Sequence, residues 1–252
     1  MKNTEFKTSN NKEEISPAAA RKRKTALTFM LLLAVVPALS VVGVLLFPDR
    51  SYPVVALGIA VLSVLPILYS FERRENTARE LTLLAVLVAL SAAGRFIFAW
   101  LPGFKPVTAL TVIVALHLGR EAGFVVGAMS AVVSGFYFGQ GPWTPFQMFA
   151  WGLIGLCAGL LARPLRKNTA LLCVFGALSG VAFSVIMDVF TVLWADGGFN
   201  AARYFAAVVY ALPVTAEYAV SNVIFLLLLA KPLGKKLTRV KEKFGLFEPV
   251  LQ

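Results

Sequence analysis

Eight apolar runs constrain the fold of this chain more than any other feature: Ala26 to Phe47, Pro53 to Ser70, Glu80 to Trp100, Pro106 to Leu118, Gly123 to Phe138, Pro145 to Ala162, Ala170 to Trp194 and Tyr204 to Ala230. Each reaches or approaches the ~20 residues an α-helix needs to cross a bilayer. With 58% hydrophobic and only 15% charged residues among 252, the chain is more apolar than one soluble core of this length can hide. The expected fold is an all-α integral membrane protein with about eight transmembrane helices. The fourth run is short, and a tilted, a partly re-entrant and a protein-shielded helix all accommodate it.

The formal charge of +11 has two readings, a nucleic-acid surface or Lys and Arg gathered in cytoplasmic loops, and their placement favours the second. With a cytoplasmic N-terminus, the inside segments hold 20 of the 24 Lys and Arg. The outside loops keep only Arg50, Lys105 and Arg203, and Arg95 lies within a span. Both termini are thus expected in the cytoplasm, with Leu101 to Lys105, Gly139 to Thr144 and Ala195 to Arg203 together on the outer face. The first run follows basic residues as a signal peptide would, but it is longer than a signal core and lacks a small-residue cleavage site. The expected organisation is a basic tail (1–25), a two-helix hairpin with the charged linker FERRENTAR (26–75), a six-helix core (76–233) and a second basic tail (234–252).

Within that core, Gly119, Gly123, Gly127, Ala131 and Gly135 recur every four residues on the fifth run, and Gly152, Gly155 and Gly159 on the sixth. Such ridges let helix backbones approach closely where lipid supplies no hydrophobic contrast. Ala85, Ala89 and Ala93 make a third ridge, suited to packing within the chain or to a partner's helix. Between the fifth and sixth runs lies YFGQGPWTPFQMFAWG, Tyr137 to Gly152. Its glycines and prolines set a tight turn, and Trp143, Phe146 and Trp151 supply flat amphipathic surface. An aromatic belt at the membrane surface would use the same rings; Gln140 and Gln147 suit a lid over a ligand.

Ionisable groups inside spans cost several kcal/mol and persist where they face a cavity, a partner or water. The core has Arg95, Asp188 and Glu217, all tending towards the outer side, with Gln147 and Asn222 as neutral companions. Either Arg95 pairs with one of the carboxylates to hold the bundle, or the three form the polar floor of an outward pocket whose mouth Lys105 reaches. The candidate substrate-binding residues are therefore Arg95, Lys105, Gln140, Trp143, Gln147, Asp188 and Glu217. No phosphate-binding loop of the G-x-x-x-x-G-K-[ST] type and no metal-ligand cluster occurs. Cys157 and Cys173 lack CxxC spacing and read as small core residues. Ser134 and the single His117 lack the context of a nucleophile and base, and a lone histidine is more often a satisfied interior residue. No cofactor is expected, and an enzyme is disfavoured. A solute-binding transport subunit leads; a proton-coupled secondary transporter using Asp188 and Glu217, or a membrane scaffold, are the alternatives.

From about Glu80 to Leu233 the chain resembles the substrate-binding S component of energy-coupling factor (ECF) transporters. The likeness rests on the six core helices, the alanine ridge, the PGFKPV loop from Pro102 to Val107, EAGFVVGA from Glu121 to Ala128, and above all GQGPWTPFQMFAWG from Gly139 to Gly152. Within that group the pattern looks most like the cobalamin-type components. The resemblance implies a vitamin or related micronutrient bound from outside beneath the three outer loops. It also implies a transmembrane coupling protein that contacts Ala85, Ala89 and Ala93, two cytoplasmic ATPases that supply energy, and residence in the bacterial cytoplasmic membrane. The two extra N-terminal helices depart from the usual six-helix layout.

Overall fold

The computed structural model describes residues 77–247; the expected N-terminal tail, the hairpin and the last residues of the C-terminal tail lie outside them. The described residues form seven helices and no strand: α1 Ala78–Ile97, α2 Val107–Leu118, α3 Arg120–Phe138, α4 Thr144–Leu160, α5 Ala162–Lys167, α6 Thr169–Asp196 and α7 Ala201–Phe244. All but α5 coincide with the six apolar runs expected for the core. The starts follow from local chemistry. Thr77 Oγ1 accepts the Glu80 N–H at 3.3 Å while the Glu80 carboxylate accepts the Thr77 N–H at 3.0 Å, a capping box that satisfies donors α1 would otherwise leave free. Asn168 and Asn200 cap α6 and α7 through their side-chain oxygens.

Helices α1, α3, α6 and α7 are long and apolar enough to cross a membrane, whereas α2 and α4 are shorter. At 1.5 Å per residue, the 12 residues of α2 cover only about 18 Å of a hydrocarbon core about 30 Å thick. Every residue of α2 except His117 is buried, and the helix touches each of the other six. Of the three readings open for the fourth run, the structure has the protein-shielded one: α2 is the axis around which the others pack. A single residue, Gly119, joins it to α3 with φ +108°, a left-handed conformation that glycine tolerates best.

The glycine ridges act mainly between α3 and α4. A side chain at Gly127 would lie 2.5 Å from the Trp151 carbonyl oxygen, and one at Gly155 would strike the Gly123 carbonyl. Backbone therefore lies against backbone, as small residues allow. Gly119 is not on this ridge, because it sits at the α2–α3 junction.

Three local features differ from the sequence expectation. Cys157 and Cys173 are free but only half-buried. The short helix α5, anchored by buried Leu165, occupies what read as a loop. And α7 continues past Ala230 through Pro232 to Phe244, across residues 234–244 that read as tail. Pro232 removes one backbone hydrogen bond, but tertiary contacts hold the extension: Gly234 lies against the His117 ring, Thr238 Oγ1 is 3.0 Å from His117 Nδ1, and Leu237 is buried. Beyond it, the Phe247 N–H donates to Glu80, so the last described turn docks on the start of α1.

Candidate functional site

Helix α1 carries Arg95 in its last turn, pointing into the bundle and nearly inaccessible. Its Nη1 donates to Ser134 Oγ of α3 at 2.5 Å, and its Cζ lies 4.7 Å from the Phe138 ring centre and 4.9 Å from that of Trp151. The Trp151 ring stacks on Phe183 of α6 at 4.8 Å, and Phe183 meets Tyr218 of α7 edge-on at 5.2 Å. Five planar groups from five helices thus form one row: Phe138, Arg95, Trp151, Phe183 and Tyr218. A guanidinium over ring faces is held by cation–π attraction, strongest away from water.

The loop between α1 and α2 is fastened across this end of the bundle. Phe98, Phe104 and Phe225 of α7 contact one another pairwise at 5.0–5.7 Å between ring centres. Glu217 accepts the Gly103 N–H at 2.9 Å, and Ser221 Oγ both accepts the Lys105 N–H at 2.9 Å and donates to the Lys105 carbonyl at 3.2 Å. Lys105 Nζ turns back onto its own loop, donating to the Pro102 carbonyl at 2.6 Å and the Leu101 carbonyl at 3.3 Å, while resting 5.8 Å from the Phe138 ring centre. Phe138 therefore neighbours two cations. Burial first, and then the Arg95 charge, push the Lys105 ammonium below the usual lysine range, with Glu217 opposing.

The seven sequence candidates separate into groups. Arg95, Asp188 and Glu217 all lie close enough to Tyr218 for their charges to act on it, but Arg95 makes no ion pair with either carboxylate among the described residues. The pairing reading is thereby replaced: Arg95 uses Ser134 and two rings, and the exposed Glu217 uses a loop N–H. Asp188 keeps a buried carboxylate oxygen with no partner, as Arg95 keeps its Nε; Ser91 and Thr111 hydroxyls are likewise buried and unpaired. Such orphans normally cost about 1–3 kcal/mol each.

Trp143 and Gln147 lie one turn apart on the same face of α4 as Trp151. Trp143 covers Gly141, and Gln147 is half-buried, its side chain without a hydrogen bond among the described residues. Gln140 is committed to the turn. It donates to the Val132 carbonyl at 2.7 Å, accepts from Thr144 Oγ1 at 2.9 Å, and fills the space left by Gly135. Sequence reading missed Phe138, Phe183, Tyr218 and the role of Ser134 as Arg95's acceptor. The spacing Ser91–Arg95, one turn apart, was a signal for a polar face on α1; nothing local flagged Phe183 among so many apolar neighbours.

Ala85, Ala89 and Ala93 are exposed, on the side of α1 away from its buried residues Leu84, Leu87, Val88 and Ser91. The family model described as the ECF-type riboflavin transporter S component matches residues 75–239, all of α1 to α6 and most of α7. No curated protein and no solved structure matches the chain.

Proposed function

The chain belongs to the family of ECF-type riboflavin transporter S components, and on that premise we propose that its cargo is riboflavin, bound at the Arg95 end of the bundle. The family makes it a multi-pass membrane subunit that binds a vitamin for an ECF transporter rather than an enzyme, working with a coupling protein and ATPases. The cobalamin-type subgroup expected from sequence gains no support from the match, which is of the riboflavin type.

The observation that carries the substrate reading is the row of planar groups, with Arg95 held between Phe138 and Trp151. An isoalloxazine is a flat fused ring system, and stacking on aromatic and guanidinium faces suits it. Its pyrimidine edge offers carbonyl acceptors and an imide N–H; the unpaired Arg95 Nε and Asp188 oxygen supply a donor and an acceptor of the required kinds. Glu217, Lys105 and the loop they fasten act as the lid, facing outside, with Trp143 and Gln147 beside it. Coupling through Ala85, Ala89 and Ala93 to an ATP-driven module releases the vitamin inward.

Titration of the purified chain in nanodiscs with riboflavin, followed by quenching of flavin fluorescence, tests this against a panel that includes cobalamin and nucleosides. Saturable quenching by riboflavin that is lost on Arg95 or Trp151 substitution is the expected result. A corrinoid that binds while riboflavin does not overturns the assignment. Uptake that persists in cells lacking any ECF ATPase overturns the coupled mechanism in favour of secondary transport.

A further inference from the structure

Along α7, running away from the Arg95 end of the bundle, one face changes character at Pro232. Val220, Ile224, Leu227 and Leu228 are exposed apolar side chains on it. The same face continues, at helical spacing, into exposed Lys231, Lys235, Lys236 and Arg239. The opposite face stays buried throughout, through Ser221, Asn222, Phe225 and Leu226, then Gly234 and Leu237. The corner formed by α5 repeats the pattern. Exposed Leu160 and Leu161 precede exposed Arg163, Arg166 and Lys167, and exposed Leu171 and Val174 of α6 follow. Arg166 of α5 and Lys241 of α7 both lie near enough to His117 for their charges to act on it, so the two basic segments flank one point of the structure. Glu242 is the one acidic residue between Lys231 and Phe244.

Exposed apolar faces of spanning helices meet lipid tails, and whatever meets the next turn of the same face lies at headgroup depth. At 1.5 Å per residue the 44 residues of α7 extend about 66 Å, roughly twice the hydrocarbon thickness, so the extension beyond Ala230 is not needed to span. We propose that Lys231, Lys235, Lys236 and Arg239, together with the basic turn of α5, form a binding surface for the headgroups of anionic phospholipids. Continuity with the lipid-facing apolar surface, on two separate helices, selects lipid over an acidic protein. The proposal is independent of which vitamin is carried.

The test compares the full chain in nanodiscs of phosphatidylcholine alone and with added phosphatidylglycerol, by thermal unfolding and by native mass spectrometry of retained lipid. Phosphatidylglycerol is expected to raise the unfolding temperature, with a gain that shrinks as salt is added. The triple variant K235Q/K236Q/R239Q should lose that gain, each charge removed weakening lipid occupancy about fivefold, while unfolding in phosphatidylcholine is unchanged. Should that variant fail to accumulate, K235R/K236R/R239K keeps the charge and is expected to keep the gain. R203Q, at the other end, is expected to leave it intact. A gain that survives in the glutamine variant, or that inorganic phosphate reproduces, overturns the proposal. So does a wild-type chain that phosphatidylglycerol leaves unchanged while the glutamine variant no longer copurifies with coupling subunits, which would make the surface a protein interface.

Discussion

Glu217 of α7 accepts the Gly103 N–H at 2.9 Å, from a helix more than a hundred residues downstream of the loop it holds. One turn further on, Ser221 makes the second fastening, to Lys105. Because both acceptors sit on one helix, loop position is tied to α7. E217A is expected to cost about 1 kcal/mol of stability, below the roughly 1.5–3 kcal/mol usual for a hydrogen bond to a charged group, since the site is partly open to water. E217Q keeps an acceptor and should cost less than half of that. G103A should cost more than either, because its Cβ would lie 2.6 Å from Glu217 Cβ and 3.1 Å from the Val214 carbonyl. Unfolding in nanodiscs orders the three, and a G103A that unfolds like wild type removes the close approach from the account.

Arg95 separates binding from architecture. It is buried with one hydrogen bond, no carboxylate partner and an unpaired Nε. Replacing a buried ion pair by apolar side chains of similar volume is often neutral or stabilising, and a buried charge with no carboxylate partner has less still to lose, so R95M should unfold within about 1 kcal/mol of wild type. Riboflavin affinity should nevertheless fall by at least about tenfold, a loss of 1.4 kcal/mol. D188N should behave in the same way, because Asp188 also holds an unpaired oxygen. Fluorescence titration alongside thermal unfolding reads both quantities. Affinity and stability falling together in both variants would make these groups structural.

Periodicity made the helices legible, and the charges gave a neighbourhood: Arg95, Asp188 and Glu217 all lie near enough to Tyr218 for their charges to act on it. What each does was not legible. An ion pair between Arg95 and a carboxylate was one of two readings left open, because side chains on different helices meet only through the crossing geometry, which the one-dimensional pattern does not encode. Gln140 shows the same limit. A polar residue in a glycine-rich turn looks available for a ligand, yet the gap at Gly135 lets it fold back and bond the Val132 carbonyl. The extension of α7 was hidden because Pro232 and the lysines read as a helix end, whereas burial of Gly234 and Leu237 against the body overrides them.

The α3–α4 contact predicts a sharp contrast between glycines. A Cβ at Gly155 would overlap the Gly123 carbonyl and lie 2.9 Å from the Phe124 nitrogen. Backbone cannot yield as a side-chain tip does, so G155A should cost about 2–3 kcal/mol and lower the amount of protein in the membrane. G198A, in the α6–α7 loop with nothing within 4 Å of the added carbon, should stay within about 0.5 kcal/mol of wild type. Immunoblotting of membranes and unfolding in nanodiscs measure the difference; equal behaviour of the two variants would mean that α3 and α4 can part without loss.

The alanine ridge on α1 predicts a variant that binds but does not transport. Ala85, Ala89 and Ala93 are exposed and spaced by four, so they make one smooth stripe over which a partner's backbone can pass closely. Leucine is as compatible with lipid as alanine, so A85L/A89L/A93L should insert and fold normally. Its riboflavin affinity should stay within about twofold of wild type, under 0.5 kcal/mol, because Arg95 lies on the inward side of the same helix. The bulk should nonetheless hold a coupling protein away, lowering copurification of the module and vitamin uptake by about tenfold or more. Binding measured on the isolated chain, set beside uptake in cells that also express the module, distinguishes this from misfolding. A triple variant that assembles and transports normally would place the coupling contact on another face.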